Sequence, residues 1–165
     1  MADYEFATIW RLQAPIERVY DLIENATDWP RWWPSVTAVT EVEPEGPDGL
    51  NAVYEFTFKG RLPYLLRFTS RVTQRDRPRA LAGVAEGELA GTGAWALSEL
   101  GDWTVARYDW RIRTTRPWMN VLAPLPFVRQ IFELNHHAVM RDGLAGARRE
   151  LGVAGEYERP GVGAV

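Results

Sequence analysis

The two histidines of the chain, His136 and His137, are adjacent in the segment ELNHHAVM, close to Glu133 and Asn135. Such side chains bind metal ions or transfer protons near neutral pH. Adjacent helical residues point about 100° apart, so the two imidazoles do not readily face one ion. The segment has no His-Glu-x-x-His motif, and a single Glu-x-x-His is too little for a carboxylate-bridged metal pair. The sequence therefore predicts no metal site and no other cofactor.

Asn135 and His136 have two interpretations. Helical spacing places Asn135 toward the interior and His136 at the edge of that face, with His137 in solvent or near a rim. Single polar residues on an apolar face are usually hydrogen-bonded core residues. They are also the groups that orient a ligand in an apolar pocket, where His136 would be a candidate catalytic acid or base. The sequence leaves both interpretations open.

Tryptophan is the second unusual feature, with eight in 165 residues. This side chain is large to bury and unfavourable to expose, so eight of them indicate an aromatic core or an aromatic-lined cavity. Trp32, Trp33, Trp118 and Met119 lie in proline-rich connections. They either plug one end of the fold or form a lip over a cavity, and a lip would also offer a surface to a membrane or a protein partner.

Composition limits the class of protein. A chain of 165 residues with 46% hydrophobic and 25% charged residues is typical of one globular domain. The net charge of −3 gives no case for a nucleic-acid partner, and the absence of cysteine excludes disulfides and thiolate chemistry. No signal pattern and no apolar run of roughly 18 residues is present, so we expect a cytoplasmic protein without a transmembrane segment. Lys59 is the only lysine among many arginines, which is typical of GC-rich bacterial coding.

Alternating apolar and polar residues predict a series of β-strands. The predicted strands cover 4–13, 36–43, 51–60, 64–75, two short strands in 80–100 broken near 90–93, and 103–115. Two short helices follow the first strand, one starting at Pro15 and one ending before Pro34. A long helix is predicted from about Phe127 to Leu151, after the irregular connection RPWMNVLAPLP. Turns at hairpin spacing make the sheet an antiparallel meander.

The sheet has one apolar face, and only the last helix is long enough to cover it. Gly83, Ala85 and Gly87 share that face and leave space beneath the helix. Gly143 and Gly146 lie in the helix interior, where glycine is about 1 kcal/mol less favourable than alanine. These two glycines either let helix and sheet approach closely or enlarge the cavity. We expect one domain over residues 1–152 and a flexible tail over 153–165.

The segment LQAPIERVYDLIENATDWPRWWPSV resembles the START/Bet v 1-like (SRPBCC) superfamily, with Ala-Pro after a strand, an amphipathic helix and a tryptophan- and proline-rich segment. The segments GELAGTGAWAL, RTTRPWMNVLAP and NHHAVM resemble its bacterial polyketide cyclase/dehydrase-like branch. The resemblance covers about residues 3–152. It implies an α+β helix-grip fold, with a curved antiparallel sheet of about seven strands around the C-terminal helix. The fold hosts carriers, sensors and enzymes, so it does not by itself define a reaction.

The predicted cavity walls are the inward residues of the strands and of the last helix. They are Tyr54, Phe56, Phe58, Phe68, Ser70, Ala85, Trp95, Tyr108, Trp110, Asn135, His136 and Val139.

Three functions follow from this cavity and its surroundings. The first is binding of a hydrophobic small molecule such as a polyketide, an aromatic compound or a lipid. The second, which the resemblance implies, is an aromatase/cyclase or dehydratase that uses His136, with Asn135 or Tyr108, for proton transfer. The third is a module that binds a partner through the tryptophan-rich lip. An edge strand of the sheet would also allow a homodimer.

Overall fold

The computed structural model describes residues 3–122 and 124–160. Its strands are β1 (Asp3–Leu12), β2 (Val36–Glu43), β3 (Val53–Phe58), β4 (Leu66–Asp76), β5 (Ala80–Gly87), β6 (Leu89–Leu100), β7 (Trp103–Thr114) and β8 (Gly155–Glu158). Its helices are α1 (Ile16–Glu24), a 3₁₀ turn (Ala26–Asp28), α2 (Trp29–Trp32), α3 (Pro117–Leu122) and α4 (Val128–Leu151).

The strands form one antiparallel sheet in the order β2-β3-β4-β5-β6-β7-β1-β8. Strands β2 to β7 are neighbours in sequence order because short connections join them, which confirms the predicted meander. Helix α4 packs against β1, β8 and α2. The predicted α+β helix-grip fold is therefore confirmed. The described part of the chain has eight strands instead of about seven, and the additional one is β8.

Helix α1 forms where the sequence predicts it because one apolar stripe coincides with the helical period. Ile16, Val19, Tyr20 and Ile23 are all buried, and Pro15 directly precedes the first helical residue. Proline suits this end of a helix because its fixed φ is helical and the missing N–H would be unpaired there. The buried stripe places α1 against β6 and β7.

The main core is aromatic and lies where α1, α2 and the C-terminal half of α4 meet the sheet. Trp10 is fully buried, with its ring centroid 5.3 Å from that of Trp33 and 5.0 Å from that of Trp95. Pairs of this kind add roughly 0.5–1.5 kcal/mol to the stabilisation that comes from buried area. Much of the tryptophan content therefore serves the core, and only part of it lines cavities.

The glycines of α4 allow close approach and do not enlarge the cavity. A methyl group at Gly143 would overlap the ring of Trp33, and one at Gly146 would overlap the carbonyl oxygen of Trp32. Helix α4 therefore lies almost directly on α2, since no side chain separates them at these positions. This decides between the two interpretations that the sequence left open.

The segment RPWMNVLAPLP, predicted to be irregular, contains the short helix α3. Pro117 begins the helix, where a missing N–H is tolerated. The Thr114 hydroxyl donates a hydrogen bond to Asn120 Oδ1 at 2.9 Å and so ties α3 to the end of β7. The prolines of this segment led to the prediction of a loop, although its apolar residues have helical spacing.

The break between β5 and β6 lies at Glu88, not near 90–93 as predicted. The Glu88 carboxylate accepts a hydrogen bond from the backbone N–H of Arg67 at 2.8 Å and forms an ion pair with Arg116. Gly91 stays within β6, where a side chain would overlap the Arg111 carbonyl oxygen. Glycine here marks a close backbone approach between strands.

Residues 155–158 lie in the segment predicted to be a flexible tail, yet they form β8 and pair with residues 9–12 of β1. Gly152 ends α4 with a φ of 67°, the left-handed conformation that reverses a chain after a helix. The free edge of β1 then provides backbone partners. Four residues of the predicted tail are therefore strand residues, and residues 161–165 lie outside the described part.

The buried face of α4 is rotated relative to the one that helical spacing predicts, which has Asn135 toward the interior and His137 in solvent or near a rim. The buried residues are Val128, His136, His137, Met140, Gly143, Leu144, Gly146 and Ala147. Asn135 and Asp142 lie only at the margin, and Leu134 is exposed. The rotation arises because α2 and β8 cover a side of α4 that the sequence pattern assigned to solvent.

Candidate functional site

Two adjoining cavities lie between the inner face of the sheet and the helices. The first is bounded by β1, β7, α4 and the β3–β4 loop, and the second by α1, the 3₁₀ turn and β3 to β7. Each has a volume of about 110 Å³. Both are lined mainly by aromatic and aliphatic side chains, which is typical of sites for small organic ligands.

The structure places all twelve predicted wall residues around these cavities, divided between the two. The first cavity is lined by Phe58, Phe68, Trp95, Tyr108, Trp110, Asn135, His136 and Val139. The second is lined by Tyr54, Phe56, Ser70 and Ala85, together with five residues that also face the first: Phe58, Phe68, Trp95, Tyr108 and Trp110. That these residues contact a ligand stays a prediction.

The sequence interpretation missed several wall residues. Tyr4 and Phe6 of β1, Trp29 of α2 and Met119 of α3 all line the first cavity. Phe6 lies in the predicted first strand, but the pairing of this strand with β7 is not visible in a single sequence. Met119 was expected in a plug or lip and not as a wall residue, because the helix α3 that carries it was not predicted.

His136 is buried in the wall of the first cavity. Its ring stacks on Phe6 at 4.6 Å and on Trp110 at 5.2 Å between centroids. Its Nε2 lies 3.3 Å from the Thr8 hydroxyl oxygen. Burial lowers the pKa of His136 to about 3, with smaller contributions from the charges of His137 and Arg159.

A neutral imidazole provides one donor and one acceptor nitrogen. His136 is therefore a hydrogen-bonding group at neutral pH and a weak base. Efficient general bases have a pKa near the working pH. The low pKa of His136 thus favours a role in orienting a ligand over one in removing its proton.

His137 is buried as well, contrary to the expected position in solvent or at a rim. Its Nδ1 lies 2.5 Å from the Tyr157 hydroxyl, and its Nε2 lies 3.9 Å from Glu133. Burial and the nearby charges of Arg159 and Arg141 lower the pKa of His137 to about 4. Strand β8 causes the difference, because its Tyr157 covers this side of α4.

Asn135 has a structural role at the mouth of the first cavity. Its Oδ1 accepts hydrogen bonds from the backbone N–H groups of Arg61 at 2.7 Å and Leu62 at 3.3 Å. Asp142, further along α4 on the same side, accepts a hydrogen bond from the Ser35 hydroxyl at 3.0 Å and pairs with Arg61 at 3.4 Å. Both side chains thus hold the β3–β4 loop against α4.

Tyr108 lies at the meeting point of the two cavities. Its ring packs on Trp95, with centroids 4.7 Å apart. Burial raises the pKa of the Tyr108 hydroxyl well above its usual value near 10. The group is therefore a neutral phenol that can donate or accept a hydrogen bond.

The tryptophans in the proline-rich connections have two different positions, some buried in the core and one on the surface. Trp32 and Trp33 are 4% and 3% exposed, and the Trp33 indole N–H donates to the Val139 carbonyl at 2.9 Å. Trp118 is 41% exposed and contacts Tyr64. The predicted lip therefore includes Trp118 but neither Trp32 nor Trp33. Further exposed apolar residues lie in the β3–β4 loop, in α3, between α3 and α4, and in the first half of α4. They are Leu65, Val121, Leu122, Leu125, Phe127, Ile131 and Leu134. A partner-binding role for this surface stays a hypothesis.

Within residues 3–122 and 124–160, no three histidine, aspartate or glutamate side chains are grouped so that they could hold a metal ion. None of the helices described is long and apolar enough to cross a membrane.

Comparison with known proteins provides further information. Residues 7–152 match the model of a family described as polyketide cyclase / dehydrase and lipid transport. No curated protein matches the chain.

Among solved structures, the protein TTHA0849 from Thermus thermophilus is similar with a TM-score of 0.72 and 17% identity, over 89% of this chain and 99% of that one. A START superfamily protein from Mycobacterium smegmatis has a TM-score of 0.72 and 14% identity, over 89% and 98%. The Zhui aromatase/cyclase from Streptomyces sp. R1128 has a TM-score of 0.65 and 17% identity, over 91% and 96%. At these identities the similarity shows a shared fold.

Proposed function

Because the chain belongs to the polyketide cyclase/dehydrase and lipid transport family, we propose that it binds a hydrophobic small molecule in the two adjoining cavities. The observation that carries this proposal is the set of aromatic rings that line both cavities. They are Trp29, Phe58, Phe68, Trp95, Tyr108 and Trp110. Such walls favour flat aromatic or polyketide-derived molecules, because ring stacking adds to the gain from burial. Lipid-like chains would gain from burial alone.

The polar groups of the first cavity support binding of an uncharged ligand. Neutral His136 and neutral Tyr108 are both part of its wall. An ionised ligand group would lose its hydration there without finding an opposite charge on either residue. The ligand we propose therefore has few polar atoms and no charge at the centre of the site.

Replacing Val139 by phenylalanine should block the first cavity and reduce ligand binding at least tenfold, since Val139 lines it and one ring would fill much of about 110 Å³. The protein would be analysed by native mass spectrometry, with denaturing extraction of any bound molecule. Quenching of tryptophan fluorescence by a panel of aromatic and acyl compounds would give affinities.

Val42→Phe is the matched control, because Val42 is half exposed on β2 and lines neither cavity. It should bind like the wild type. A wild-type protein that carries no molecule and binds no member of the panel would contradict the proposed function.

A second candidate function is catalysis of the aromatase/cyclase type, with His136 as the proton-transferring residue. The observation in its favour is that His136 is the histidine that lines the cavity, whereas the adjacent His137 faces Tyr157. His136 could take the proton that the attacking carbon loses and return it to the oxygen of the attacked carbonyl as the C–C bond forms, so that the imidazole is neutral again at the end of the step. Members of the same fold include proteins described as aromatase/cyclases.

His136→Gln separates the two candidates. For an enzyme, conversion of a poly-β-ketone analogue, followed by mass spectrometry, should fall by a factor on the order of 10²–10⁴ with affinity changed only a few-fold. His137→Gln is the control, because it alters the same helix outside the cavity. Absence of conversion by the wild type would leave binding as the function, and conversion that survives His136→Gln would exclude His136 as the proton-transferring residue.

A further inference from the structure

The floor of the second cavity contains a patch of sheet without side chains. Gly83 of β5 and Gly93 of β6 are directly paired, and both line this cavity. Opposed residues of antiparallel strands have Cβ positions about 4.5–5.5 Å apart. Two glycines at such a pair therefore leave a shallow depression in the floor of the site.

One hydroxyl group covers each of these glycines. Ser70 Oγ lies 2.6 Å from the point where a Cβ of Gly83 would stand. The hydroxyl oxygen of Tyr108 occupies the corresponding place at Gly93, where a methyl group would overlap it. The glycines thus make room for two hydroxyls that approach each other from β4 and β7 over adjacent floor positions.

Neither hydroxyl is used by the protein. Within the described ranges 3–122 and 124–160, no hydrogen bond is formed by Ser70 Oγ or by the Tyr108 hydroxyl. Both residues are partly accessible, so their hydroxyls keep their hydrogen-bonding capacity for a molecule in the cavity. Both face space that a ligand can occupy, since Ser70 lines the second cavity and Tyr108 lines both.

The two cavities adjoin at this point. They share walls on two sides: Trp29, Phe58 and Phe68 on one side, and Trp95, Tyr108 and Trp110 on the other. Rings stack within each side, as Phe58 does on Phe68 at 5.8 Å and Trp95 on Tyr108 at 4.7 Å. In the part of the chain that the structure describes, the two sides have no direct ring contact and are connected through Trp33 and Trp10. A ligand that occupies both cavities would lie between these two sides.

Size indicates that one ligand uses both cavities. Each has a volume of about 110 Å³, which is less than the ~150 Å³ of a cavity that holds one benzene molecule. A molecule of two or three fused rings exceeds either cavity and would occupy parts of both. Its middle would then lie over Gly83 and Gly93, next to both hydroxyls.

We propose that Ser70 and Tyr108 form a hydrogen-bonding subsite at the junction of the two cavities, and that it selects flat multi-ring ligands with a carbonyl or hydroxyl oxygen near the middle of their length. The inference rests on the proposed function and specifies its ligand class. A carbonyl oxygen has two lone pairs and accepts from both hydroxyls at once. Sites built to hydrogen-bond a ligand oxygen discriminate against analogues that lack it.

The charged residues of the second cavity do not compete for this role. Glu24 and Arg75 also line it, but they pair with each other at 3.1 Å. Arg75 is further engaged by Glu45 at 2.5 Å. These groups neutralise one another at the α1 end of the cavity. Arg75 Nε has no hydrogen-bond partner, but the atom is fully buried, whereas Ser70 and Tyr108 offer uncharged hydroxyls that line the cavity.

The test compares 9-fluorenone with fluorene, which has the same three rings without the central oxygen. Binding is measured by quenching of the intrinsic tryptophan fluorescence. The wild type should bind fluorenone roughly three- to tenfold more tightly, as expected for one or two hydrogen bonds. The variant Ser70→Ala/Tyr108→Phe should lose this preference and bind fluorene within about twofold of the wild type, because both changes keep the shape of the site.

Tyr64→Phe is the matched control, since it removes a tyrosine hydroxyl from the same cavity wall near Trp118. It should retain the preference. Equal affinities of the wild type for both probes, or a preference that survives in the double variant, overturn the subsite and leave the proposed function intact. Failure of the wild type to bind either probe or any other flat aromatic compound overturns both.

Discussion

Replacing Gly146 by alanine is expected to lower the free energy of unfolding by roughly 2–4 kcal/mol, although alanine is the better helix former. The added methyl group would overlap the carbonyl oxygen of Trp32. A backbone atom cannot rotate away as a side chain can, so α4 and α2 would have to separate. Separation would loosen Trp32 and Trp33, which are both core residues.

Ala145→Gly is the matched control, because Ala145 is the exposed neighbour of Gly146 on α4. This variant replaces alanine by glycine on the solvent-exposed side of α4, and it should lower the free energy of unfolding by only about 1 kcal/mol. Urea unfolding of the three proteins measures both effects. A Gly146→Ala variant that is as stable as the wild type, or more stable, would contradict the close contact between α4 and α2.

Acidification from pH 7 to pH 4 is expected to destabilise the protein by several kcal/mol through its two histidines. Burial lowers the pKa of His136 to about 3 and that of His137 to about 4, from 6.5. Below pH 6.5 the unfolded chain therefore binds more protons than the folded protein. The stabilisation is complete above pH 6.5 and is lost as the pH falls toward the folded values, at about 1.4 kcal/mol per pKa unit for each group.

Urea unfolding of the wild type and of His136→Gln/His137→Gln at pH 7, 5.5 and 4 isolates this effect. The protein also loses stability in acid when carboxylates whose pKa is lowered by an arginine, such as Asp21 beside Arg77, become protonated. The wild type and the double variant share these carboxylates. The double variant should therefore show a clearly smaller loss between pH 6.5 and 4. Parallel pH profiles would mean that neither imidazole is kept neutral by the fold.

Periodic patterns made the main elements predictable. Strand alternation gave the inner face of β3, β4 and β7, and the predicted walls such as Phe58, Phe68 and Trp110 do surround the cavities. Helical spacing gave α1 and the extent of α4. These signals are local, since each depends on residues within one element.

Features that depend on contacts between distant elements were not predictable. The burial of His137 follows from β8, and β8 forms only because β1 has a free edge beside it. Whether Gly143 and Gly146 open space or close it depends on the position of α2, which no pattern within α4 records. Similarly, Asn135 was expected among the ligand-orienting groups, but its oxygen is committed to the backbone of the β3–β4 loop.

The place of β1 in the sheet also determines when the chain can fold. The strand lies between β7 and β8, so its partners are the last strands to leave the ribosome. Asp3 and Arg113, which form an ion pair across β1 and β7, are 110 residues apart in the chain. Trp10 and the other apolar residues of β1 therefore lack a partner strand while the meander is synthesised. Pairings between strands so far apart in the sequence also form slowly. We therefore expect the sheet to close around α4 only after synthesis is nearly complete, with β1 as the last strand to be enclosed.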